Sequence, residues 1–473
     1  MPDVLDPNRW RSLAVILSAA FLVGLDFFVV NVAIPSIQGD LHASFAQIQL
    51  VIASYGLTYA VLLISGGRLG DIYGRKRMFM LGIAGFMVTS LFCGLAHSPN
   101  VLIGARALQG ITGALLFPQV LSIMQVTFPG KERATAFGLF GMVIGMSAFS
   151  GNVLGGLLVY ANFFGLSWRP IFLINLPVGL LTLWAAVALV KESRSPKARR
   201  LDLGGVALLT TALSMLLYPL IEGRETGWPW WTLATLGAAL PMLAVFVQYE
   251  KFIAASGGSP LVELTLFHDR TFVIGLFSGI CFFNTTASFF LISTIFLQNG
   301  LHYSAKDAGL TFASFAVAFL LSSLSSARLQ PKLGSWIISL GLVLMMAGLA
   351  ALLFTASRFG ARLTGLDLAP ALLVYGTGQG FVMPTLFSTI LINIKGHDAG
   401  SASGVLSTVQ QVSFAMGVAV IGTVFFGALD PRAGVAGFVH ALRTAFCVNL
   451  GLLTATLLLI SRVPRFPLRA VEK

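Results

Sequence analysis

The run GGRLGDIYGRKRMF, Gly66 to Phe79, decides how the chain is read. It joins two apolar stretches near 45–66 and 78–97, each about the 20 residues that cross a bilayer as a helix. Gly67 and Gly74 allow close backbone approach in a tight turn. Asp71 is placed to meet the positive end of a neighbouring helix. Arg75, Lys76 and Arg77 form a basic cluster suited to an anionic cytoplasmic leaflet. The run is therefore expected to be a cytoplasmic turn between two membrane helices.

Composition agrees with that reading. The chain has 473 residues, 56% hydrophobic and 10% charged, with a mean hydropathy of +0.87. A soluble protein of this size has no interior large enough for so much apolar surface, and the 50 glycines suit close helix packing. The expected class is all-α and polytopic. Fourteen apolar spans are expected. The first six lie near 12–34, 45–66, 78–97, 100–128, 134–161 and 168–190. Two more lie near 202–221 and 229–250. The last six lie near 271–297, 305–327, 333–355, 368–393, 400–427 and 439–461.

Charge orients the spans. With the N-terminus inside, the inner loops and both tails hold about 22 of the 30 Lys and Arg residues, the excess that marks the cytoplasmic side. The net charge of +12 is thus a topology signal rather than a footprint for nucleic acid. The first span is too long for a signal-peptide core and lacks a small-x-small cleavage site, so it is expected to be retained. Cys93, Cys281 and Cys447 fall within apolar spans without a CxxC pair, and no His cluster has metal-ligand spacing. No P-loop occurs, so no cofactor is expected and ATP is not the energy source.

Of the 18 carboxylates, Asp26 alone lies deep in a span, within GLDFFVVNVAIP (Gly24–Pro35). A carboxylate at that depth costs about 3 kcal/mol or more on insertion scales, which marks it as functional. Arg106 is the matching deep base. A carboxyl that loses hydration is driven toward its neutral form, so Asp26 is read as a group that loads and releases a proton beside a fixed positive charge. A structural Asp–Arg bridge is the competing reading. An amide is cheaper than a carboxylate in hydrocarbon, so Asp26→Asn is expected to leave stability nearly unchanged.

GRLGDIYG (Gly67–Gly74) has a faded copy in ARLQPKLG (Ala327–Gly334), sharing Arg-Leu and the final Gly. Both copies leave an even-numbered span on the inner side. Transporters built from repeats place substrate between the halves.

At these residues the chain resembles the major facilitator superfamily, whose hallmark loop is matched by Gly66–Phe79. The span count resembles its fourteen-helix drug:proton antiporter branch. LDFFVVNVAIPSI (Leu25–Ile37), RALQGITGALLFP (Arg106–Pro118), WRPIFLINLPVG (Trp168–Gly179) and GSASGVLSTVQQVSFAMGVAVIG (Gly400–Gly422) are similar to motifs of its first, fourth, sixth and thirteenth helices. The chain departs from the pattern at Asn152 of GNVLGG (Gly151–Gly156), where the antiporter motif carries Pro. It departs again at Gln410 and Gln411, where Arg-Gln is common, and at Ile72.

The resemblance implies two six-helix bundles, residues 1–193 and 253–473, with two inserted helices over 194–252. It implies proton-coupled efflux of small lipophilic or amphipathic compounds across a bacterial cytoplasmic membrane, by alternating access. The competing function is a symporter or uniporter for a specific metabolite, favoured by Asn152. Asp26 and Arg106 are the expected proton-coupling pair. Gly67, Gly70, Asp71, Gly74, Arg75, Gly151, Gly155 and Gly156 are the expected conformational motifs. By the resemblance Asp71 faces the start of the thirteenth helix near Ala399–Ser403. Phe27, Asn31, Gln119, Asn284, Tyr375, Gln379 and Gln410 are the candidate substrate contacts, each able to serve helix packing instead. Expected partners are a small-molecule substrate, protons and the lipid bilayer, with no nucleic acid, and the expected state is a monomer with both termini cytoplasmic.

Overall fold

The computed structural model describes residues 7–128, 130–194, 201–391, 394 and 399–463. Helices, in chain order, are α1 (Arg9–Leu41), α2 (Phe45–Tyr73), α3 (Arg75–Gly94), α4 (Pro99–Thr127), α5 (Gly130–Ala161), α6 (Pro170–Leu173), α7 (Asn175–Leu189), α8 (Leu203–Glu225) and α9 (Trp230–Ala255). Then come α10 (Arg270–Ile295), α11 (Ala305–Leu333), α12 (Trp336–Phe359), α13 (Gly365–Ile390), α14 (Ala399–Met416), α15 (Gly422–Ala428) and α16 (Val435–Ile460). Wider π-helical turns extend α10 over Phe296–Gly300 and join α14 to α15 over Gly417–Ile421. There is no strand among the described residues.

Local chemistry sets the helix starts. Ser44 accepts from the Gln47 amide while the Gln47 side chain accepts from the Ser44 amide, a reciprocal cap for α2. Thr364 and Asp367 do the same for α13. Ser98, Asp269 and Ser304 cap α4, α10 and α11 through single side-chain bonds. Between the caps the helices are apolar on most faces, as a lipid-facing helix must be. Trp184 and Trp230, 78% and 81% exposed, stand outward where a soluble fold would bury them.

By length and composition, twelve helices among the described residues can cross a membrane, with α6–α7 and α14–α15 each counting once. The fourteen-span expectation includes two further helices, α5 and α13, of 32 and 26 residues, outside that set. α13 is diluted by Gly, Thr, Gln and two internal prolines.

The opening motif differs in one respect from a loop between 66 and 79. α2 runs on through Tyr73, and Gly74 alone, at φ +113°, makes the turn into α3. The helix keeps its hydrogen bonds where it leaves hydrocarbon, so a membrane-length estimate stops it too early. The faded copy ends alike: α11 is also 29 residues long and stops at Gly334, φ +56°.

The chain forms two compact units. The first takes residues 1–28, 40–151 and 163–263; the second takes 29–39, 152–162 and 264–473. Helices α8 and α9 group with the first. In the first unit α2 lies so close to α4 that a Cβ on Gly66 would stand 2.0 Å from the Ala114 carbonyl oxygen. In the second, α12 and α13 meet at Gly341 and Gly378, where a Cβ on either would reach the other's carbonyl within 2.6 Å.

Candidate functional site

Five helices of the first unit converge on Asp26. α1 carries Asp26, which is fully buried, and α4 carries Arg106, 1% exposed. Arg106 Nη1 lies 2.5 Å from Asp26 Oδ2. Gln109, one turn after Arg106 on the same face of α4, accepts from Arg106 Nη1 at 2.6 Å. Gln109 also donates through Nε2 to Asp26 Oδ1 at 2.9 Å and to Ser90 Oγ of α3 at 2.8 Å. Asn175, the first residue of α7, donates to Asp26 Oδ1 at 3.1 Å and to the same Ser90 oxygen at 3.1 Å. From α2, the Val51 carbonyl accepts from Arg106 Nε at 3.4 Å, and the Tyr55 ring lies 4.2 Å from the guanidinium carbon.

The network takes the place of water around both charges. Three side chains donate to one carboxylate, and the guanidinium has a carboxylate, an amide oxygen, a carbonyl and a ring face. Burying an ion pair is offset only when its remaining hydrogen-bond sites are filled in this way. Two atoms at the edge stay without a protein partner, Asn175 Oδ1 and the Tyr55 hydroxyl. The donors to the carboxylate sit on helices α4 and α7 while the acid sits on α1.

A second tie holds α1 farther along. Asp40 accepts from Trp168 Nε1 at 3.0 Å and from Arg169 Nη1 at 2.8 Å. The segment Trp168–Gly179 thus grips α1 at both levels, through Trp168 and Arg169 at one and Asn175 at the other.

The conformational motifs are built as follows. Asp71 pairs with Arg75 at 2.8 Å; of the expected partner segment Ala399–Ser403, positions 399–401 lie outside the residues whose side chains are described. Gly70 leaves room for Gln119, whose Oε1 would stand 1.8 Å from an added Cβ, whereas Gly67 meets only Pro118 at an ordinary 3.6 Å. Gly74 packs on the Glu192 carboxylate, which accepts from the Lys76 and Arg77 amides at 3.1 and 3.2 Å and so caps α3. In the second unit, a Cβ on Gly155 would stand 2.9 Å from the Val29 carbonyl, and one on Gly156 2.5 Å from the Ala305 carbonyl. Gly151 is buried on α5, a continuous helix through position 152.

The candidate substrate contacts fall in different settings. Gln119 is fully buried in the first unit and spends its amide on the Gly66 and Leu115 carbonyls, so it joins α2 to α4. Phe27 sits edge-on to Phe28 and packs against the first unit's core. In the second unit Asn31 is buried, and Asn284 donates to the Ile280 carbonyl one turn back. Tyr375 stacks on Phe289, ring centroids 4.1 Å apart, inside a cluster that includes Phe315. Its hydroxyl and Gln379 Oε1 are buried without a protein partner. Gln410 is half-buried on α14.

Sequence reading missed Gln109, Asn175 and Ser90. Gln109 carried a signal, a polar residue three positions after a deep Arg within a span. Asn175 lay in a quoted motif without a role. A lone Ser in an apolar helix signals nothing by itself.

A multi-pass helical protein with an acid and a base paired and buried inside its helices has the build of a membrane transporter. The model of the Major Facilitator Superfamily matches residues 16–418, and the chain belongs to that family. It is 42% identical over 427 residues to the "Probable actinorhodin transporter" of Streptomyces coelicolor, covering 90% of this chain and 74% of that one. It is 36% identical to the puromycin resistance protein pur8 of Streptomyces alboniger, covering 96% and 91%. A crystal structure of the peptide transporter POT in complex with sulfate superposes with a TM-score of 0.67 at 17% identity, over 96% of each chain, which speaks to the fold alone.

Proposed function

We propose that this chain exports small lipophilic or amphipathic compounds, antibiotics among them, across a bacterial cytoplasmic membrane in exchange for protons. The substrate class is supported by the relatives named for an antibiotic or for resistance to one. Proton exchange is supported by one observation above all, the Asp26–Arg106 pair sealed among helices that carry its other donors. In this reading Asp26 takes a proton when Arg106 and Asn175 withdraw and yields it when they return. Gly151, Gly155 and Gly156 of α5, with the Gly67–Arg75 motif, serve the conformational change. Phe27, Asn31, Gln119, Asn284, Tyr375, Gln379 and Gln410 remain the proposed substrate contacts, although the Gln119 amide nitrogen is held by the Gly66 and Leu115 carbonyls.

The proposed topology adds α5 and α13 to the twelve candidate spans, giving fourteen helices with both termini cytoplasmic. The proposed organisation is a six-helix bundle over 1–193, inserted helices over 194–252 and a second bundle over 253–473. The working unit is a monomer and no cofactor takes part. Asn152 keeps a second reading open, a symporter or uniporter for one metabolite, because α5 lacks the proline of the antiporter motif.

Inverted membrane vesicles test this. With a proton gradient imposed, puromycin or actinorhodin should collapse the gradient and accumulate in vesicles carrying the protein. Accumulation that persists after the gradient is abolished removes the antiport reading. Transport of a single metabolite that either ignores the gradient or runs in the same direction as the proton, with neither antibiotic moved, favours the second.

A further inference from the structure

Asp26 is not the only buried acid of the first unit. Asp202 is 6% exposed and Glu250 is fully buried. Hydropathy placed them at span edges, just before α8 and near the end of α9. Asp202 caps α8, its Oδ1 accepting from the Gly205 amide at 2.8 Å and from the Tyr249 hydroxyl at 3.1 Å. Its Oδ2 accepts from the Leu261 amide at 3.1 Å. Glu250 Oε2 accepts from the Val262 amide at 2.8 Å. Glu250 Oε1 has no donor at all.

That orphan oxygen faces Asp202. The two carboxyls converge on the same space above Gly205. A Cβ on Gly205 would stand 2.5 Å from both Glu250 Oε1 and Asp202 Oδ2, so glycine there is what lets the carboxyls meet. Ionised carboxylates only accept. Two of them facing each other away from water repel, and the arrangement lacks one hydrogen to be complete. Arg68 of α2 does not supply it: its guanidinium donates to the carbonyls of Ser259, at 3.1 Å, and Pro260. A metal ion is a poor occupant, since no group of three or more His, Cys, Asp or Glu among the described residues could hold one.

We propose that Asp202 and Glu250 bind one proton between them, forming a second proton site that holds the segment Ser259–Val262 to the ends of α8 and α9. The proton sits on Glu250 Oε1 and is donated to Asp202 Oδ2. The pair faces Arg68 from α2 and Tyr249 from α9, while α8 and the segment present main-chain amides. That segment leads through the short turn Leu264–His268 towards α10. Loss of the proton leaves two like charges in one dry pocket, so the carboxyls part and the Leu261 and Val262 amides lose their shared anchor. The site stands on the first unit alone, so it survives if the export reading fails.

Hydrogen exchange on the full-length protein in lipid nanodiscs tests the anchor, with rates corrected for intrinsic base catalysis. Protection of the Leu261 and Val262 amides should fall about tenfold as pH rises from mildly acid to alkaline. Glu250→Gln, whose amide still accepts from Val262 and donates to Asp202, should hold protection constant across that range. Asp202→Asn, which retains the helix cap, should flatten it too. Infrared spectra of protein labelled with carbon-13 at glutamate carboxyls should show a protonated Glu at neutral pH, absent from Glu250→Gln. A parent whose protection tracks pH no differently from Glu250→Gln overturns the proposal. So does a labelled parent without a protonated Glu band, which decides the matter even where a variant fails to fold.

Discussion

Replacing Asp26 by Asn should destabilise the protein, against what hydropathy alone predicts. The carboxylate is fully buried and its partner Arg106 is 1% exposed, so neither ion can turn to water. Asn retains one oxygen to accept from Arg106. Its amide then faces Gln109 Nε2 and Asn175 Nδ2, both donors. The guanidinium is left without a counter-ion, and breaking a buried pair from one side costs about 3–5 kcal/mol. For a cooperative unit of about 150–250 residues each kcal/mol moves the melting midpoint by about 2–4 °C, so the fall should be roughly 6–20 °C. Arg106→Gln should fall comparably. The double variant carries neither charge and should recover about 2 kcal/mol or more relative to either single change, because no ion is left buried alone. Melting in detergent under one fixed scan rate reads these differences, and vesicle transport reads function on the same proteins. A stable Asp26→Asn protein would falsify the claim that Arg106 depends on this carboxylate. A well-folded double variant that still pumps uphill against its substrate gradient would sink the proton-coupling role.

Other expectations follow from single contacts. Asp71→Asn removes the carboxylate that holds Arg75 and should slow turnover while sparing ligand binding; unchanged turnover, with unchanged cysteine labelling of the cytoplasmic face, argues against a conformational role. Glu192→Ala strips the start of α3 of its borrowed cap and should cost about 0.5–2 kcal/mol, seen as faster exchange of the Lys76 and Arg77 amides. Gly156→Leu drives a side chain into the Ala305 backbone, which cannot yield as a side chain would, so the melting midpoint should fall by the equivalent of about 1–3 kcal/mol or more. Arg9 holds the Glu132 carboxyl below the usual carboxylate range through a direct hydrogen bond at 2.8 Å. Its contribution is present above the unfolded value and lost as pH falls through the lowered one, so a spin label near Arg9 should loosen only on acidification, and in Glu132→Gln at every pH.

The fold was legible because a bilayer imposes one rule on every segment: an apolar run of fixed length must become a helix. That rule located the helices but not their ends. α2 outlasts its apolar run by seven residues, from 66 to Tyr73, because main-chain hydrogen bonds continue into the polar interface while hydropathy stops. It also blurred at α13, where Thr377, Gln379 and two prolines dilute the pattern. Tyr375 and Gln379 share one face of that helix, a turn apart, and both carry buried atoms without a partner. The dilution that weakens α13 as an apolar span is thus concentrated where polar groups turn inward. A helix buried on such a face needs less apolar side chain than one wrapped in lipid.

The candidate site was legible only as far as charge is. Asp26 and Arg106 announce themselves because an ion in hydrocarbon is costly wherever it lies. Which residues make that cost bearable depends on approach in space, and Gln109, Asn175 and Ser90 are ordinary polar residues until the helices close around them. Depth alone likewise misplaced Asp202 and Glu250, whose positions at span edges suggested water and whose surroundings are dry. The two buried acid sites then differ in kind. Asp26 has three donors, one of them the Arg106 guanidinium, and both of its oxygens are supplied. Glu250 has an oxygen with no donor and a second carboxyl opposite, so its hydrogen bonding is complete only with one. In the proposed cycle the first site loses a donor to load a proton, and in the proposed anchor the second loses a proton to let go.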